Sequence, residues 1–119
     1  MTKITSFNFG FIVVDGKQYI CDMVILPDGT VKEREPGRGR LGSHKITAEE
    51  IERLQIAEPD VVLIGSGTNG MAKLTEDAEL RWQQPDSNLE VLLSPQAVEK
   101  FNQLISEGKR VAALFHITC

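Results

Sequence analysis

The stretch from Asp60 to Gly70, Asp-Val-Val-Leu-Ile-Gly-Ser-Gly-Thr-Asn-Gly, constrains this chain more than any other. Its apolar run breaks directly into glycines spaced G-x-G-x-x-G. That pattern reads as a buried strand ending in a turn that can approach a ligand closely. Gly65, Ser66, Gly67, Thr68, Asn69 and Gly70 are therefore the first candidate ligand-binding residues.

The flanking sequence sets the architecture around this strand. Phe7 to Val14 alternates loosely with β-branched and aromatic residues, Asp15-Gly16 supplies a two-residue hairpin turn, and Lys17 to Leu26 forms the return strand. Pro27-Asp28-Gly29 is a second turn, so Thr30 to Arg34 pairs back and the first third reads as a β-meander. Residues 33–45 carry a single apolar side chain, Leu41, among glycines and arginines, and read as a long surface loop.

A helix start follows, with Thr47 as cap, Glu50 three residues on and the Ile46/Ile51 staple; Pro59 closes the element near Glu58. Met71 to Leu80 fits a short helix or irregular chain, and Trp82 to Asn88 a loop. Leu89 to Leu93 is a strand. Ser94-Pro95 reads as a cap followed by proline at the first helical position. Val98, Phe101, Leu104 and Ile105 mark that helix's buried stripe, and Gly108 ends it. Arg110 to Ile117, apolar without alternation, predicts a strand covered on both faces. The expected fold is α/β: one three-layer domain over residues 1–119, with a mixed, partly parallel central sheet, packed helices and an N-terminal β-meander.

At 119 residues with 41% hydrophobic and 25% charged side chains the chain suits one folded unit. No apolar run is long enough to span a bilayer and no signal-peptide pattern opens the sequence, so a cytoplasmic location without membrane association is expected. Cys21 and Cys119 lack the spacing of a metal or redox pair, and no structural disulfide is expected. The net charge of −4 is uneven. Residues 31–45 hold five basic and two acidic side chains (+3), whereas residues 46–119 hold six and twelve (−6). The overall field disfavours polyanions, leaving Arg34, Arg38, Arg40 and Lys45 as a local patch for phosphate. With no aromatic among them to stack a base, nucleic acid is disfavoured.

The glycine loop is a poor dinucleotide fingerprint. It follows a meander, a weak helix succeeds it, and Glu90, twenty residues on, falls near the start of the next strand instead of its end. A small anionic ligand at the loop amides and a plain tight turn are the remaining readings. Ser66 is no nucleophile elbow, because Ile64 and Thr68 stand where that motif needs glycine. Ser43-His44-Lys45 precedes the first helix; His44 is the candidate acid/base if it meets Ser66 or His116 in the fold. His116 and Cys119, three apart on an extended segment, point to opposite faces, so no metal site is expected, and no cofactor either.

Taken in order, Gly42-Ser43-His44-Lys45, Leu63 to Met71, Phe101-Asn102-Gln103-Leu104, Gly108 to Ala113 and His116-Ile117-Thr118-Cys119 resemble the Mth938 family, along essentially the whole chain. The Ser-His-Lys and His-x-Thr-Cys pieces are similar to its archaeal-type branch. The resemblance implies a three-layer α/β fold with a mixed central sheet and little chemistry. More distant relatives, a mitochondrial complex I assembly factor and an adipogenesis-associated protein, act through partners. The leading expectation is a domain binding a protein partner or small ligand at Gly65 to Gly70, with Ser43, His44 and His116 lining the site. A small enzyme using His44 as acid/base with loop amides stabilising an anion is the first alternative; nucleic-acid binding through the basic loop at 34–45 is the second.

Overall fold

The computed structural model describes residues 2–34 and 44–119. Five strands, β4 (Met23–Ile25), β5 (Val31–Glu33), β7 (Val61–Gly65), β9 (Leu89–Leu92) and β10 (Val111–Phe115), form the main sheet in the order β5-β4-β10-β7-β9. The sheet is mixed: β7 runs parallel to both β10 and β9, while β4 runs antiparallel to β10 and β5. A smaller sheet joins β1 (Ile4–Asn8), β2 (Phe11–Val14) and β3 (Lys17–Tyr19). β6 (Lys45–Ile46) pairs in parallel with β8 (Lys73–Leu74).

Alternation along the central strands divides the core. Val111, Ala113 and Phe115 of β10, with Leu63 of β7, face α3 (Ser94–Ser106) and the small sheet, where Ile4, Ile12, Val14 and Phe101 complete the cluster. Ala112, Leu114, Val62 and Ile64 face the other way, against Ile51 and Leu54 of α1 (Ala48–Gln55) and Ala78 of α2 (Glu76–Trp82). Both faces of β10 are covered, which explains its unbroken apolar sequence.

Local signals place the helix ends. Thr47 Oγ1 accepts the Glu50 N–H at 3.2 Å and Glu50 Oε1 accepts the Thr47 N–H at 3.1 Å, a complete capping box. At the end of α3, Gly108 takes φ +82°; its N–H donates to Ile105 O and that of Lys109 to Leu104 O, the paired bonds of a Schellman motif.

Three segments depart from expectation. The first strand of the meander is broken at Gly10, which takes φ +92° and sends its N–H to Ile117 O at 2.8 Å, so that β1 and β2 pair as a hairpin within the small sheet. Its second strand is likewise interrupted between Tyr19 and Met23, so β3 belongs to the small sheet and β4 to the main one. The 71–80 segment holds a short strand and then α2, which continues through Trp82. Ser94 is not a cap: Leu93 takes that position, and the buried Ser94 side chain points into the fold.

Candidate functional site

The glycine loop leaves the carboxyl end of β7 and receives residues 116–119 from beyond the neighbouring strand β10. Thr68 N–H donates to Thr118 O at 2.8 Å, and the Cys119 carbonyl oxygen accepts from Asn69 (3.2 Å) and Met71 (2.9 Å). Ser66 N–H donates to Leu92 O and Ala72 N–H to Ser66 O. Gly67 N–H donates to Ser94 Oγ at 2.8 Å, and Gly70 N–H turns back to Gly67 O at 3.4 Å. Every main-chain N–H from residue 66 to 72 is thus engaged inside the protein.

Close approach is what the glycines provide. A Cβ on Gly67, which sits at φ +102°, would lie 2.5 Å from the carbonyl carbon and oxygen of Cys119 and 2.8 Å from His116 Cδ2. One on Gly65 would lie 2.8 Å from Ser94 Oγ and 3.0 Å from Phe115 Cδ1.

The two histidines meet. The exposed His44 ring stands edge-on to the buried His116 ring, centroids 5.1 Å apart at 79°. His116 Nδ1 contacts Asp22 Oδ2 at 2.8 Å and its Nε2 contacts Thr118 Oγ1 at 3.2 Å; an ionised Asp22 fixes Nδ1 as the protonated nitrogen. Asp22 also accepts from the Ile117 N–H (3.0 Å) and from Arg34 Nη1 (2.8 Å). Burial pushes its carboxyl up, but the hydrogen bond and charge of His116, with the Ile117 N–H and Arg34, outweigh this and hold it below its ordinary value. Ser43 lies outside the described residues, as do Arg38 and Arg40.

Arg34 corrects the surface-loop reading. It is buried, forks onto Glu50 through Nε (2.7 Å) and Nη2 (3.1 Å), and donates to Lys45 O. Burial works against its positive charge, and the carboxylates of Glu50 and Asp22 more than restore it, raising its affinity for its proton. Its partners, 16 and 12 residues away, leave no periodic trace, so the sequence pattern alone could not separate it from Arg38 and Arg40, which follow it in the chain.

A groove of about 320 Å³ opens beside the loop. Ser66 and Gly70 of the loop, Leu74, Leu89 and Val91, and Trp82 with Lys73 and Glu79 are among the residues that line it. Sequence reasoning missed Trp82 by placing it in a loop; the apolar stripe of so short a helix gives no clear signal. Its ring carries the Arg81 guanidinium 4.7 Å away, and Arg81 also pairs with Glu52 of α1. His44 and His116 are not among the lining residues.

A family model described as "Protein of unknown function (DUF498/DUF598)" matches residues 4–116. The chain belongs to this family. Among solved structures, the DUF498/DUF598 chain is similar to MT938 at 27% identity over the full length of both, with a TM-score of 0.80. The conserved hypothetical protein PH1505 from Pyrococcus horikoshii OT3 is 28% identical over 98% of this chain and 99% of that one, also at 0.80. The fold recurs in a Bordetella pertussis protein described as a Mth938-like domain, at 19% identity over 98% and 85% of the chains and a TM-score of 0.71. These matches bear out the resemblance to the Mth938 family and its α/β fold. Among the described residues, no helix is long and apolar enough to cross a membrane.

Proposed function

We propose that this DUF498/DUF598 chain is a small-ligand-binding domain whose site is the groove between the Gly65–Gly70 loop and Trp82. One observation supports this above others: the groove starts at the carboxyl end of β7, beside Ser66 and Gly70, and runs along the edge strand β9 past Val91 and Leu89, so that a strand-end loop meets an apolar strip and an indole in one concave site. A wider hollow bounded by Glu52, Gln55, Ile56, Arg81 and Trp82 is shallower and borders no strand end. Because the loop amides are already bonded, an anionic group on the ligand falls to Lys73, with the indole and Leu74, Leu89 and Val91 covering an apolar body. The same bonding argues against loop amides as anion stabilisers in an enzyme, and the burial of Arg34 removes one cation from the nucleic-acid reading.

Trp82 is the only tryptophan in the sequence, so its emission reports occupancy of the groove directly. Titration with a panel of aromatic and aliphatic carboxylates should give a saturable change for at least one, weakened by Lys73→Glu. A panel without any change, or a response that Lys73→Glu leaves intact, would rule the reading out.

A protein partner is the second reading, favoured by one specific feature. β9 is an edge of the main sheet, and Val91, Leu93 and the nearby Met71 are exposed along it. A second copy of the chain is the first partner to test, by sedimentation. Association abolished by Val91→Lys supports this reading, and a monomer at all concentrations refutes self-pairing at β9.

A further inference from the structure

On the other side of the glycine loop, residues 116–119 carry a thiol to a histidine. Cys119 Sγ lies 3.7 Å from His44 Nε2. The main chain of Cys119 is pinned by Asn69 and Met71, and that of Thr118 by Thr68, so the backbone that bears the thiol is held in place. His44 in turn rests against His116, which Asp22 and Thr118 orient from within the fold. His44 is exposed and Cys119 half-buried, so a small reagent reaches both. Cys21, whose Sγ lies 3.7 Å from the thioether sulfur of Met23, is the internal comparison.

The geometry points to Cys119 as a nucleophilic thiol with His44 as its base, open to modification by a small disulfide. As Sγ attacks one sulfur of the disulfide, His44 Nε2 takes the thiol proton. A new S–S bond forms to Cys119, the original S–S bond breaks, and the departing thiolate takes the proton from the imidazolium. The products are a mixed disulfide on Cys119 and one small thiol, and the disulfide under attack is the oxidant. The G-x-G-x-x-G spacing acquires a physical purpose here, since any side chain at Gly67 would collide with the backbone that presents the thiol. None of these residues lines the groove, so this site stands or falls independently of the ligand reading.

The test is alkylation of the intact chain by iodoacetamide near neutral pH, followed at each cysteine by peptide mass spectrometry. Sγ displaces iodide from carbon in this probe reaction, and a base near the sulfur accelerates it because a free thiol is only a few per cent ionised at about pH 7. Cys119 should be labelled several-fold faster than Cys21. His44→Ala should slow Cys119 several-fold without changing Cys21, and added imidazole should restore the rate. Oxidised glutathione should give the same ranking of mixed disulfides. Equal rates at the two cysteines overturn the proposal, as does wild-type reactivity in His44→Ala. Failure of imidazole to rescue that variant overturns the assignment of His44 as base, because a merely structural role would not respond to a free base.

Discussion

The Ser94 hydroxyl donates to the carbonyl oxygen of His116 across 2.6 Å, fastening the start of α3 to the end of β10. Ser94 Oγ also accepts the Gly67 N–H, so a single buried side chain satisfies two main-chain groups of the site. Ser94→Ala orphans both and should cost about 2–3 kcal/mol. Urea unfolding measures this, and a loss below about 0.5 kcal/mol would mean that water replaces the hydroxyl.

Gly67→Ala should be more damaging than its one added methyl suggests. The left-handed backbone penalty of about 1–2 kcal/mol adds to a contact with Cys119 main chain too short to persist. We expect a loss of about 3 kcal/mol or more, with hydrogen exchange at Asn69 and Met71 accelerated beyond the global change as residues 118–119 lift away. Unchanged protection at those amides would show that the loop does not depend on close approach.

Acid should weaken the fold through Asp22. Its folded carboxyl titrates below the ordinary 3.8, so the unfolded chain binds more protons between the two values. The stabilisation is therefore complete above about pH 4 and is lost as pH falls through the lowered folded value. Urea midpoints measured from pH 6 down to pH 2 should fall in the acid range for the wild type, and Asp22→Asn should flatten part of that fall. An identical slope in the variant would assign the acid sensitivity elsewhere.

The capping box contains two residues of unequal weight. Thr47→Ala removes a cap and should cost about 1 kcal/mol. Glu50→Ala should cost at least about 3 kcal/mol, because it also strips the buried Arg34 guanidinium of two hydrogen bonds. Comparable losses in thermal or urea unfolding would mean that the Arg34 pair contributes no more than a surface bridge.

This contrast marks the boundary of what the linear sequence revealed. The Thr47–Glu50 box, the Gly108 terminus, the α3 stripe and the central strand β10 were legible because each depends on residues within a few positions of one another. The break in the first strand was not, since the acceptor for Gly10 N–H is Ile117, more than a hundred residues along. Likewise the loop glycines announced a close approach, but not that Cys119 makes it. His44 and His116 were singled out as rare side chains, and the fold puts their rings in contact. The nearby thiol was missed because alternation along an extended segment placed Cys119 and His116 on opposite faces, whereas only His44 approaches the sulfur.

The central position of β10 has a consequence for synthesis on the ribosome. Its hydrogen-bonding neighbours β4 and β7 are translated first and cannot pair with each other across the space that it fills. Until residues 111–115 emerge, β4 and β7 each carry an open edge, and the apolar side chains Met23, Ile25, Val62 and Ile64 lack the β10 side chains that pack beside them. Folding of the main sheet therefore waits for its last-made strand, and the interval before it arrives is when the protein is most exposed to aggregation and to chaperones.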